Sequence, residues 1–292
     1  MSSSFKIIVI LLFASVALQI SNAQERVLFF QTNWGFTGSW NEFCEKAKTS
    51  EYDGVEVWVP QENKSIELLQ HSLKKNKLEV IYMCGVDRSL PIEEGIVKFK
   101  ADLLKAISLK PMAINCHTGS DFFSVNENKA FIELAQQLSA EYSIPIYHET
   151  HRGRFSYTLP KALEMIEEIP LLPFTLDVSH WMVVHESLLF SEQERLNVIL
   201  KNTHHIHARV GFEQAPQVNN PQAPEWDSAL QRHLDLWENI IQQRLDEKGF
   251  ITITTEFGPP SYMPTEPFTQ KPLSDLWETN VFIMNALKNR LK

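Results

Sequence analysis

The chain has 292 residues, 43% hydrophobic and 22% charged, which is enough apolar material for a large core and too little charge for a disordered chain. Asp and Glu number 36 against 27 Lys and Arg, a formal charge of −9. That balance argues against nucleic acid as a partner, because phosphate binding needs a basic footprint.

Residues 1–23 read as a secretory signal rather than as part of the fold. Lys6 is the only charge before an uncharged run from Ile7 to Ile20, and Ser21-Asn22-Ala23 offers small residues for cleavage. The run is short of the about 20 residues that a membrane span requires. Cleavage after Ala23 is therefore expected, with no membrane span left in the mature chain. Residues 24–292 form a single exported domain, periplasmic in a Gram-negative bacterium and extracellular otherwise. Its cysteines, Cys44, Cys84 and Cys116, are odd in number and match no metal-ligand spacing. They read as buried thiols, with one Cys84–Cys116 bridge left open.

Eight short apolar segments predict buried strands: Val27–Thr32, Gly54–Val59, Leu78–Cys84, Pro111–Cys116, Ile144–Glu149, Leu172–Asp177, His204–Arg209 and Phe250–Glu256. Between and after them lie segments with helical periodicity, among them Ile92–Leu109, Asn126–Tyr142, Thr158–Ile169, Trp226–Glu247 and Ser274–Leu291. Strand and helix alternate eight times, which signals parallel βαβ units and a (β/α)8 TIM barrel. The competing doubly wound sheet finds no nucleotide-binding glycine motif to support it. The irregular stretch Gly211–Glu225 follows the seventh strand, so it is expected at the mouth as a loop over the substrate.

Alternation along the last four strands sorts their side chains. Ile146, Leu176, Ile206 and Ile253 belong to the face that meets the helices. Glu149, Asp177, His205, His207, Arg209, Thr252, Thr254 and Glu256 belong to the lumen face. Glu149, Asp177, His207 and Glu256 also fall at or near the strand C-terminal ends, where barrel enzymes place their sites. Three carboxylates in one lumen repel one another and lose solvation. A divalent cation resolves both costs. Three carboxylates with one imidazole suit Mn²⁺, Mg²⁺ or Co²⁺, with Zn²⁺ also compatible. Both His205 and His207 face the lumen; His207, nearer the strand end, is the preferred ligand. Trp34, Trp58 and His117 follow or end earlier strands at the same rim, and Glu56 reads as a structural charge. His71, His185 and His233 read as surface residues.

Four motifs carry a resemblance to the xylose-isomerase-like superfamily of sugar isomerases and epimerases: His148-Glu149-Thr150-His151-Arg152-Gly153-Arg154, Leu176-Asp177-Val178-Ser179-His180, His205-Ile206-His207-Ala208-Arg209 and Thr255-Glu256-Phe257-Gly258. The resemblance implies a (β/α)8 barrel holding its metal with Glu149, Asp177, His207 and Glu256. It also implies that Glu149 and Glu256 exchange the substrate proton and that His180 touches substrate. The family's seventh strand often continues as His-x-Lys-Asp, whereas this chain reads His207-Ala208-Arg209-Val210-Gly211. Arg209 is the candidate to replace those later contacts. Arg152, His117, Trp34 and His205 complete the expected substrate contacts, and Arg154 reads as a solvated loop charge.

The expected activity is metal-dependent isomerisation or epimerisation of a small carbohydrate by proton abstraction next to a carbonyl. Two readings compete with it. One is a lyase or hydrolase of 3-keto sugars or keto-glycosides on the same metal; the other is a secreted carbohydrate-binding protein without catalysis. A homo-oligomer is compatible with the sequence.

Overall fold

In the computed structural model, which describes residues 26–292, eight strands pair in sequence order, all parallel, and the eighth closes on the first. They are β1 (Arg26–Thr32), β2 (Gly54–Trp58), β3 (Glu79–Gly85), β4 (Ala113–His117), β5 (Ile146–Glu149), β6 (Phe174–Leu176), β7 (Thr203–Ala208) and β8 (Phe250–Thr255). The helices are α1 (Trp40–Thr49), α2 (Asn63–Asn76), α3 (Ile92–Ser108), α4 (Val125–Tyr142), α5 (Leu159–Glu168), α6 (Ser179–Val184), α7 (Gln193–Lys201), α8 (Asp227–Lys248) and α9 (Leu276–Arg290). The chain is thus a (β/α)8 barrel, as the alternation of the sequence requires. The expected signal, residues 1–23, lies outside the described residues. Among those described, no helix is long and apolar enough to cross a membrane.

Strand alternation builds two separate apolar clusters. The outward faces, including Phe29, Val55, Tyr82, Ile114, Phe174, Ile206 and Ile253, join the inner faces of the helices in one continuous core. Leu28, Phe30, Ile81, Ala113 and Tyr147 form a second, smaller cluster inside the barrel. They plug its floor with hydrocarbon. Gly54 makes room for that plug: a Cβ there would stand 2.3 Å from the Phe30 ring and 2.7 Å from the Glu79 carbonyl. Above the plug every inward position from β4 to β8 is polar.

Local signals set the helix starts. Ser39 and Ser124 each accept a hydrogen bond from the backbone N–H three residues on, and the glutamate there reaches back to close a capping box. Pro160 sits in the first turn of α5, where its missing N–H costs nothing. Cys44, Cys84 and Cys116 are free and buried. Cys84 and Cys116 are direct register partners on β3 and β4, and both face the helical layer.

Candidate metal centre

The site forms where the polar lumen residues meet at the C-terminal ends of the strands. Glu149, Asp177, His207 and Glu256 each present one donor atom, and these atoms all lie within 4.8 Å of one another. All four residues are buried. Glu149 ends β5, and His207 sits one residue before the end of β7. Glu256 follows β8 directly. Asp177 lies one residue beyond β6, which is only three residues long. Pro173 has no N–H to extend that strand, and the ladder shifts register at Phe174 and Thr175. Asp177 Oδ1 accepts from the Ser179 N–H at 3.0 Å and the Ser179 hydroxyl at 2.6 Å, and α6 begins there.

The quartet is incompletely satisfied by the protein's own hydrogen bonds. Glu149 Oε1, Glu256 Oε2 and His207 Nδ1 are buried without a hydrogen-bond partner. His207 Nδ1 lies 3.0 Å from Glu256 Oε2 and 3.5 Å from Glu149 Oε2, close but not aligned for a hydrogen bond. Converging orphan oxygens with one imidazole nitrogen are the donor set of a hard divalent cation. His117, Glu149 and His151 form a neighbouring group whose donor atoms also lie within 4.8 Å of one another.

The electrostatics fit this crowding. Burial raises the Asp177 pKa to about 6, against the opposing pull of Arg209, with Glu256 and Glu149 adding to the rise. Burial would also raise Glu149, but the His117 and His207 charges hold it well below the usual carboxylate range. Burial would depress His207, yet Glu256, Glu56 and Glu149 raise it well above an ordinary imidazole. Arg209 is buried among them. Its Nη2 closely contacts Asp177 Oδ2 and lies 2.9 Å from His180 Nε2 and 3.5 Å from Glu256 Oε2.

A cavity of about 430 Å³ opens above the quartet, lined by Glu149, Glu256 and Arg209 and walled by Trp34, Trp58, Met83, His117, His151 and Tyr262. Trp34 and Tyr262 meet edge to face at 4.9 Å, and Tyr262 lies 4.7 Å from the Arg209 guanidinium carbon. Of the residues expected to touch substrate, Trp34, His117 and Arg209 line this cavity.

Three expectations change. His205 is buried below the quartet, with Nδ1 2.7 Å from the Thr252 hydroxyl and Nε2 3.1 Å from Glu56. Two residues earlier on β7 than His207, it sits one layer down and does not line the cavity. His180 is fully buried because α6 starts at Ser179 and turns its ring beneath that of His151, 3.9 Å away. Arg152 stands off the cavity wall, its guanidinium carbon 5.3 Å from the Tyr262 ring.

Arg154 is no solvated charge: it donates to the Val86 carbonyl at 3.0 Å and the Gly119 carbonyl at 3.4 Å. His233 is buried in α8 and accepts from the Gly211 N–H at 3.3 Å. His185 is half-buried and accepts from the Leu159 N–H at 3.2 Å. Nor does the Gly211–Glu225 stretch cover the cavity. It folds back through a Phe212–Ala215 bridge and a Val218 N–H to Val210 carbonyl bond of 3.0 Å. Its Gln217 grips Gly258, receiving from the Gly258 N–H at 2.7 Å and donating to the Gly258 carbonyl at 3.0 Å.

His151, Tyr262 and Asn115 are the site residues that sequence reasoning left without a role, while Glu56, read as a structural charge, lies buried in the lumen. His151 stands in the quoted fifth-strand motif, two residues after Glu149 on the same alternating face, and that spacing is its signal. Tyr262 comes from an irregular loop with no periodicity to read. Asn115 links the lumen, its amide donating to Glu56 and Glu149 at 3.0 Å each.

Comparisons with known proteins agree with the fold. The probable 3-DHS dehydratase AsbF of Bacillus anthracis, involved in petrobactin synthesis, is 18% identical, with a TM-score of 0.60 over 91% of this chain and 100% of that one. The 3-keto-D-glucoside 4-epimerase YcjR of E. coli is 16% identical, with a TM-score of 0.58 over 90% of this chain and 100% of its own. A xylose isomerase-like TIM barrel protein of Mycobacterium smegmatis, solved in complex with magnesium, is 13% identical, with a TM-score of 0.60 over 91% and 98% of the two chains. At such identities the likeness is one of fold. No curated protein matches the chain. The family model of the xylose isomerase-like TIM barrel matches residues 44–241, and with the closed barrel around its lumen it shows that the chain belongs to that family.

Proposed function

We propose that this protein is a divalent-metal-dependent isomerase or epimerase of a small carbohydrate. The observation that carries the reading is the quartet Glu149, Asp177, His207 and Glu256, with donor atoms within 4.8 Å of one another at the base of an aromatic-walled cavity. Those four residues would hold the ion. When bound, it supplies Lewis-acid polarisation of the substrate carbonyl and its neighbouring hydroxyl. Trp34, Trp58 and Tyr262 offer flat apolar faces for a sugar ring. Glu149 takes the proton from the carbon beside the carbonyl, and Glu256 returns one to the opposite face or the next carbon. Both carboxylates line the cavity. The Arg209 guanidinium offsets the negative charge that develops on substrate oxygen. The expected signal at residues 1–23 would place this chemistry outside the cytoplasm.

The test is turnover of a panel of free and 3-keto sugars in D2O with Mn²⁺. Deuterium should enter at the carbon next to the carbonyl, stop with a chelator and resume when Mn²⁺ is restored. Glu149→Gln should lower kcat/KM by about 10²–10⁴-fold. Turnover that ignores the chelator, or product without deuterium, refutes the proposal. A lyase would release an aglycone from keto-glycosides in the same panel.

A further inference from the structure

Beneath the quartet lies a fourth carboxylate that the proposed chemistry does not use. Glu56, at the centre of β2, is fully buried. Both of its oxygens stand 3.0 Å from His207 Nε2. Glu56 also accepts from His205 Nε2 at 3.1 Å and from the Asn115 amide at 3.0 Å, and it closely contacts the Thr254 hydroxyl. Four donors converge on it from three strands, β4, β7 and β8. Both oxygens face His207 Nε2 as acceptors, so a proton on that nitrogen completes the contact beside the Asn115 amide, also 3.0 Å away.

The other ring nitrogen is then settled. His207 Nδ1 is the atom that faces Glu149 and Glu256, and it is the buried nitrogen without a hydrogen-bond partner. With Nε2 turned to Glu56, Nδ1 is the ring nitrogen that a cation would meet among the carboxylate oxygens. A proton at Nδ1 instead would close that position to a cation.

We infer that Glu56 is a positioning residue that fixes the His207 tautomer and ring plane, so that Nδ1 can serve as the nitrogen donor of the quartet. The assignment rests on the metal-dependent reading of the quartet. His205 and Thr254 have a second task within it: they fill the remaining lone pairs of Glu56 and keep it from turning away. Partners of a ligating histidine of this kind set metal affinity without touching the ion.

Glu56→Gln tests the role at nearly constant volume. The glutamine amide can donate to Nε2, which favours the wrong tautomer. Mn²⁺ is titrated by calorimetry into the metal-stripped full chain. Glu56→Gln should bind about 10–100-fold more weakly than wild type, and Glu56→Asp, which keeps the acceptor charge, should fall between them. Equal affinity of wild type and Glu56→Gln overturns the assignment and leaves the metal-dependent reading standing. Failure of the wild type to bind any divalent cation overturns both.

A second measurement needs no variant to fold. In Zn²⁺-loaded wild type, ¹⁵N spectra should show His207 ligated at Nδ1 and protonated at Nε2, with a slowly exchanging Nε2 proton. Ligation at Nε2, or a proton at Nδ1, overturns the role of Glu56.

Discussion

Arg209 shows how much one side chain can carry. Its guanidinium lies within reach of Asp177, Glu256 and His180 and is buried under Tyr262 and Trp34. Removing one partner from a buried charge group leaves the others uncompensated. Arg209→Met should therefore cost the metal-free protein about 3–5 kcal/mol in denaturant unfolding. A loss below 1 kcal/mol would mean that the carboxylates are neutralised some other way. Gly258 is a second such residue. A Cβ there would stand 2.4 Å from the Trp34 ring, so Gly258→Ala should push Trp34 out of the cavity wall. The expected result is a raised KM with little change in kcat. At this scale the convergence of Glu149, Asp177, His207 and Glu256 was legible because strand alternation and strand ends fix where a side chain points. His205 sits a layer lower than its face suggested, because alternation gives a face but not a depth, and His180, named through the resemblance, is buried where α6 begins.

Buried histidines add a pH dependence. Burial lowers His148 to about 3 and His233 to about 4. Each is depressed in the folded state, so the unfolded chain binds protons first. Their stabilising contribution is whole above the ordinary histidine value of 6.5 and is lost as pH falls toward 3–4. The stability advantage of wild type over His233→Gln should shrink by up to ~1.4 kcal/mol per pH unit between pH 6.5 and 4. Unfolding free energies across that range provide the check, and an advantage that does not vary with pH would contradict it. Asp177 acts in the opposite sense. Its raised pKa of about 6 favours the fold at low pH, and that contribution is lost as pH rises through 6.

Among elements, helices were easier to read than the short strands that carry the chemistry. The predicted Ile92–Leu109 helix matches α3 to within one residue, because its apolar period runs for several turns. The predicted Leu172–Asp177 strand shrank to β6, since neither Pro173 nor the register shift leaves a mark in the pattern of apolar residues. The Gly211–Glu225 stretch was placed correctly after β7 but assigned the wrong task. Its contact with Gly258 lies 41 positions along the chain, where no local pattern reaches. That reciprocal amide contact ties the loop after β7 to the loop after β8, which bears Tyr262. Gln217→Ala should loosen both loops and raise KM. The capping box of α4 is separable from all of this: Ser124→Ala should cost about 1 kcal/mol of stability and leave turnover unchanged.

For the whole molecule, closure makes the site a property of the entire sheet. The quartet comes from the ends of the last four strands, but Glu56 on β2 and Asn115 on β4 brace it across the lumen. Eight alternations in the sequence already implied a closed barrel; which lumen residues touch across it was hidden, because those pairs are up to 198 positions apart. The helices packed on the outside of that closed sheet seal in the sulfur atoms. Burial pushes Cys44 up to about 11 and Cys84 up to about 12, so neither carries much thiolate while the fold is intact. An aromatic disulfide reagent should consequently wait for the helices to part from the sheet, and the colour it releases becomes a clock for that opening. Saturating Mn²⁺ should slow that clock in wild type and leave it unchanged in Glu149→Gln.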